Sequence, residues 1–119
     1  MSEIPLYSLN YIKELSSGND EFVAEMIGIF IMQTPEILSS LKQAYNDCEY
    51  EKVKFYSHKL KSSISIFEIN TLQDKLILTE KAAVENPSQE ILKPLVNTIV
   101  NTCEQVMTGL KAELSVMTK

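Results

Sequence analysis

Apolar residues recur at spacings of three and four along nearly the whole of this chain, and the rhythm breaks at only four places: Ser16-Ser17-Gly18-Asn19, Asn46-Asp47-Cys48, Glu68-Ile69-Asn70 and Asn86-Pro87-Ser88. That period belongs to helices, and each break carries residues that end or cap them. The intervals predict helices over residues 6–15, 20–45, 50–67, 71–84 and 89–117. Three Gly and four Pro among 119 residues leave few tight turns, so the expected class is all-α. Four long helices joined by loops of a few residues must run antiparallel to their sequence neighbours. The expected architecture is an antiparallel up-down four-helix bundle with a short additional N-terminal helix: a single domain over residues 1–119, its core bundle about 20–117.

Local signals refine these elements. Asn19 or Asp20 suits the N-cap of the second helix, Asn70 that of the fourth with Gln73 as its capping-box partner, and Ser88 that of the last. Pro35 removes a hydrogen bond inside the second helix and should bend or break it near Thr34. The methionines Met26, Met32, Met107 and Met117 fall at helical spacing and read as core filler, and Tyr45, Tyr50 and Tyr56 as packing residues.

Charge and cysteine usage narrow the function. A net charge of −5 argues against nucleic acid as a partner, because such binding needs a basic patch to displace counterions. Cys48 and Cys103 lie 55 positions apart without a CxxC spacing, and the start Met1-Ser2-Glu3 lacks the basic and apolar regions of a secretory signal, so a reducing, cytoplasmic setting is expected. The longest apolar run, residues 26–32, falls far short of the roughly 20 residues needed to cross a bilayer. No membrane insertion is expected.

The third helix carries the most informative side chain. Val53, Tyr56, Leu60, Ile64 and Phe67 form its apolar stripe, and at 100° per residue His58 stands about 140–160° from Val53, Tyr56 and Leu60. Its ring should meet solvent. Lys54, Lys61, Ser62 and Ser65 share that face, giving a cationic and then small stripe where Lys61 could offset negative charge arriving at the ring. If the chain reverses near Ile69, His58 lies 11 residues before the turn and Glu80 11 after it, both about 16 Å from the reversal. A carboxylate level with the ring can fix its tautomer and leave the other nitrogen as a nucleophile. On periodicity alone the pattern equally describes a solvated surface histidine among solubilising lysines, with Glu80 paired to Lys75 or Lys81.

The string Ser57-His58-Lys59-Leu60-Lys61-Ser62-Ser63 resembles the signature of histidine-containing phosphotransfer domains: His, any residue, Leu, Lys, Gly, Ser, then a small residue. Upstream, Phe30-Ile31-Met32-Gln33-Thr34-Pro35-Glu36 with Leu38, Leu41, Ala44 and Asp47 is similar to that family's second helix, and Leu72, Leu76 and Glu80 to its fourth, so the resemblance covers roughly residues 22–83. It implies that His58 is the phosphorylated residue, Lys61 the cation beside it and Glu80 the hydrogen-bonding partner of the ring. Lys54, Lys59, Ser62, Ser65, Phe30 and Gln33 would then lie at the partner-docking surface. The implied partners are a response-regulator receiver domain and a hybrid sensor histidine kinase, with the carrier itself a monomer.

Two departures stand out. The family usually has Gly four positions after the histidine, where this chain has Ser62, and a second Gly at the end of the third helix, where it has Glu68. Asn70 is the residue expected to supply the left-handed conformation that such a Gly would take.

No glycine-rich phosphate loop and no acidic cluster of the kind that holds Mg²⁺ is present, so no ATP site and no cofactor are expected on this chain; Mg²⁺ would belong to the receiver. The expectation is therefore a phosphoryl carrier rather than an enzyme acting alone. A non-transferring four-helix adaptor that binds a receiver or kinase is the alternative. A metal-holding bundle lacks its ligands, since the sequence has one His and no facing Glu-x-x-His pairs.

Overall fold

The computed structural model describes residues 6–117 and contains five helices: α1 (Asn10–Leu15), α2 (Asp20–Asn46), α3 (Tyr50–Ile66), α4 (Asn70–Glu85) and α5 (Gln89–Met117). The start Met1-Ser2-Glu3 lies outside the described residues. Each long helix packs against two others, α2 on α3 and α5, and α4 on α3 and α5, so the four close a ring around one core. Within α3, Val53, Ser57, Leu60 and Ile64 are fully buried, a spacing of four, three and four. Truncating one of these large side chains, as in Leu60→Ala, would cost about 2–5 kcal/mol through lost burial and the cavity left behind.

Several local expectations are corrected. Helix α1 begins at Asn10 rather than residue 6, because Ser8 uses its backbone N–H on the Phe67 carbonyl (2.9 Å) and its hydroxyl accepts from the Asn10 N–H (3.2 Å). Leu6 and Tyr7 thus run as a non-helical strap packed against the core. Tyr7 lies so near Gly109 that a β-carbon there would meet its ring at 2.8 Å, so a larger residue at that point of α5 would have to shift the ring. Ser57 takes a fully buried position, whereas Tyr56 is half-buried. Met32, expected in the core, is 76% exposed because its position on α2 falls outside the Val23, Ile27, Phe30, Thr34, Leu38 stripe.

Helix α2 continues through Pro35 as one element, so no break occurs near Thr34. By length and composition alone it is also long and apolar enough to cross a membrane. Its buried stripe is nevertheless spent on α3 and α5 in the bundle.

Asn19 and Ser88 accept from Phe22 N (3.2 Å) and Ile91 N (3.1 Å), serving as N-cap side chains of α2 and α5. Asn70, by contrast, is already the first residue of α4; Ile69 precedes it, and Gln73 donates to the Asn70 side chain at 3.2 Å.

The C-terminal ends of α1, α2 and α3 share one closure. Ser17, Cys48 and Glu68 take left-handed φ values of 54°, 57° and 51°. The next N–H in each case returns to a carbonyl five residues back: Gly18 to Lys13, Glu49 to Ala44 and Ile69 to Ile64, all at 2.9 Å. This arrangement satisfies carbonyls that a helix end leaves open. The left-handed residue after α3 is therefore Glu68 itself, not Asn70.

Candidate functional site

The closure at Glu68 fixes the register of the α3–α4 hairpin, and that register decides which side chains meet halfway along it. His58 projects from α3 with its side chain 72% exposed, while its chain neighbour Ser57 is fully buried. From α4, Glu80 reaches the ring, with its Oε1 2.8 Å from His58 Nδ1, and its other oxygen, Oε2, is ion-paired with Lys61 Nζ. Both carboxylate oxygens are thus engaged, and the Glu80 side chain is only 12% exposed.

Partial burial by itself raises the Glu80 carboxyl, but the hydrogen bonds from Lys61 and His58 and the charges behind them outweigh it and hold the group below the usual carboxylate range. An ionised carboxylate only accepts hydrogen bonds. In the neutral ring this contact favours the tautomer with the proton on Nδ1 and the lone pair on Nε2, and the side chain as a whole is exposed. The two lysines that could have taken Glu80 elsewhere do not: Lys81 approaches Glu85 at 3.9 Å, and the partner chosen is Lys61. Lys61 is consequently held on the carboxylate and does not stand free beside the ring.

The other residues singled out from the sequence divide into two groups. Lys54, Lys59, Ser62 and Ser65 are all exposed on α3, and Lys59 Nζ sits 5.8 Å over the Phe55 ring. Gln33 is exposed on α2. Phe30 is not at the surface: it is 2% exposed, in the α2 stripe that faces the core, and packs edge-to-face on Phe67 with centroids 4.9 Å apart. Burial therefore keeps Phe30 out of any docking surface.

Two features escaped the sequence. His58 forms one wall of an open groove shared with Phe55, Val84 and Pro87. The signal was available, since Phe55 lies one turn before His58 and off the buried stripe, where an apolar side chain has no core to join. The second is Glu68, whose Oε2 accepts from Tyr11 N at 3.4 Å and so ties the hairpin turn to α1. Nothing in the spacing pointed to it.

Among the described residues no three His, Cys, Asp or Glu side chains cluster closely enough to hold a metal. Cys103 is buried and its thiol is pushed up to about 12 by desolvation first and the nearby Glu104 charge second, whereas Cys48 is exposed.

A family model, the Hpt domain, matches residues 25–113, a span that contains His58, Lys61 and Glu80. No curated protein and no solved structure matches the chain.

Proposed function

This chain belongs to the Hpt domain family, the histidine phosphotransfer domains of phosphorelays, and on that premise we propose that His58 is the residue that carries the phosphoryl group. Members of the family are phosphocarriers that work with receiver domains and histidine kinases. In this reading the donor is the phosphoaspartate of a receiver domain, including one fused to a hybrid sensor histidine kinase, and the acceptor is the aspartate of a response regulator.

The observation that carries the proposal is the pairing of an exposed imidazole, through Nδ1, with the Glu80 carboxylate 2.8 Å away. The Nε2 lone pair attacks phosphorus, the N–P bond forms, and the acyl phosphate P–O bond breaks with its electron pair left on the donor carboxylate. The ring then bears positive charge with its Nδ1 proton retained, and the Glu80 carboxylate 2.8 Å away offsets that charge. Onward transfer reverses the bookkeeping: the acceptor aspartate attacks, the N–P bond breaks and the pair returns to Nε2. No proton needs to leave the site in either direction. Lys61 holds Glu80 in place and neutralises its second oxygen, which makes it a positioning residue.

Mg²⁺ bound by the receiver would supply the charge stabilisation of the transferring phosphoryl group, and Lys54 and Lys59 would add a cationic approach. We place the carrier in the cytoplasm as a monomer, with the exposed faces of α3 and α4 left open to partners.

The test is incubation with a phosphorylated receiver domain, comparing wild type with His58→Gln. Acid-labile, base-stable label on the wild type alone is the expected result. Binding to the receiver without label on either protein would sink the carrier reading and leave a non-transferring adaptor.

A further inference from the structure

The buried side chains between α3 and α4 change size at one level. Counted outwards from Glu68, Ile64 and Leu72 lie four residues away, Leu60 and Leu76 eight, Ser57 and Thr79 eleven, and Val53 and Ala83 fifteen, and all of them are buried. Equal counts from the turn of an antiparallel hairpin put each pair at about the same height. The first two pairs are large on both helices, whereas the third is small on both. Ser57 is also the one small residue in the buried stripe of α3, whose other members are Val53, Leu60 and Ile64. Directly after Ser57 and Thr79 in sequence stand His58 and Glu80, whose contact at 2.8 Å joins the same two helices. The hydroxyls do not account for the pair. Thr79 Oγ1 donates to its own helix at the Lys75 carbonyl (2.7 Å), and Ser57 Oγ is buried with no hydrogen-bond partner among the described residues. A buried hydroxyl in that state costs stability, so what Ser57 supplies is small volume.

We propose that Ser57 is a positioning residue: its small side chain lets α3 and α4 close on each other at the height of His58, and that spacing brings the Glu80 carboxylate to Nδ1. Its role in transfer rests on His58 being the phosphoryl carrier. A side chain as large as Val53 or Leu60 at this height would push the helices apart, because a packed interior has few voids to take it up. The long, flexible Lys61 stem can follow Glu80 outwards, whereas the His58 ring, on a single methylene, cannot. Separation would therefore cost the contact at Nδ1 before the ion pair. The ring would lose the acceptor that selects its tautomer.

Wild type, Ser57→Ala, Ser57→Val and Ser57→Val combined with Thr79→Ala test this. The chain has one histidine, so a two-bond ¹H–¹⁵N correlation spectrum of the neutral ring reads its tautomer without ambiguity, and single-turnover transfer from a labelled receiver reads the rate. S57A should retain the Nδ1–H tautomer and melt no lower than wild type, because it removes only an unpartnered hydroxyl. S57V should lose that tautomer and transfer about tenfold more slowly, as displacement of an orienting partner entails. Taking volume from the facing helix in S57V/T79A should restore the tautomer and most of the rate. If valine abolishes helical circular dichroism, Ser57→Thr, with one added methyl, should show the same losses to a smaller degree. Loss of the tautomer in S57A would overturn the proposal by assigning the effect to the hydroxyl. An unchanged tautomer in the enlarged variant would overturn it, as would a double variant no better than S57V or a lost tautomer with wild-type transfer. Failure of the carrier reading looks different: wild type would show the Nδ1–H tautomer yet take no label, even from phosphoramidate.

Discussion

The middle of the α3–α4 hairpin and its turn each depend on a glutamate, and the two glutamates do opposite kinds of work. Glu80, at the level of His58, has both oxygens engaged by side chains and is nearly covered. Glu68, at the turn, sits in a left-handed conformation and uses one oxygen on the backbone N–H of Tyr11 at 3.4 Å. The first carboxylate holds the proposed phosphoryl-accepting ring and a lysine together; the second holds one helix end near another. Charge near a reacting group should therefore show its effect in rates, and charge at the turn in stability.

The largest expected effect separates those two readouts. Glu80→Ala removes the acceptor at Nδ1 and frees Lys61, and should lower the rate of phosphotransfer to His58 by roughly 10–100-fold, as loss of an orienting partner commonly does. Glu80→Gln retains an oxygen that can accept from Nδ1 and should recover a good part of that loss, though without the charge that offsets the phosphorylated ring. Single-turnover transfer from a labelled receiver measures both. Equal rates for the two variants would show that the tautomer is not what Glu80 controls.

A smaller effect follows from acid. The Glu80 carboxyl is held below its usual value near 4.5, so its ionised form favours the folded state. That contribution is fully present above the usual value and is lost as pH falls from there through the lowered folded-state value. Urea denaturation across this range should show wild type more stable than Glu80→Gln at neutral pH, with the gap closing in acid. A gap that persists unchanged at the acid end would assign the stability difference to packing rather than to the ion pairs.

The same contrast marks what could be read from the sequence. The pairing of His58 with Glu80 follows from counting equal distances either side of a turn, because helical rise is constant and the hairpin is antiparallel. The exposure of His58 follows from 100° steps in the same way. Residues whose placement depends on backbone closure were not legible: Asn70 has the chemistry of a left-handed or capping residue, but the hydrogen bonds of Glu68 N to Ser65 O and Ile69 N to Ile64 O close α3 two residues earlier. Phe30 was misplaced because an aromatic on a helix fits a docking face and a core stripe equally well until its phase against Phe67 is known. Lys61 shares the face of His58 by its three-residue spacing, but its commitment to Glu80 depends on side-chain reach that spacing does not fix.

At the turn, two substitutions of Glu68 sharpen the comparison. Glu68→Ala keeps a β-carbon in the left-handed region and loses the carboxylate on Tyr11 N, a hydrogen bond of about 0.5–1.5 kcal/mol. Glu68→Gly loses the same bond but relieves a left-handed residue of about 1 kcal/mol of strain. The glycine variant should therefore be the more stable of the two by about 1 kcal/mol in urea titrations. Phosphotransfer rates should change little in either. Equal stability would mean that the turn costs Glu68 nothing, and a large loss of transfer would place α1 in the transfer machinery rather than in the architecture.

The smallest effect is expected at Ser62, which lies between the two regions, one turn beyond His58 towards Glu68. Its hydroxymethyl is exposed and lines a shallow pocket with Tyr11, Ser65 and Glu68. Ser62→Gly lowers helix propensity at an exposed interior position and should cost about 0.5 kcal/mol of stability. Removing the side chain also opens the surface one turn beyond His58, and on the proposed carrier reading kcat/KM for transfer should rise while stability falls. Such a divergence would show that the serine limits approach of the partner. A parallel fall in both would instead place its contribution in keeping α3 straight beneath His58.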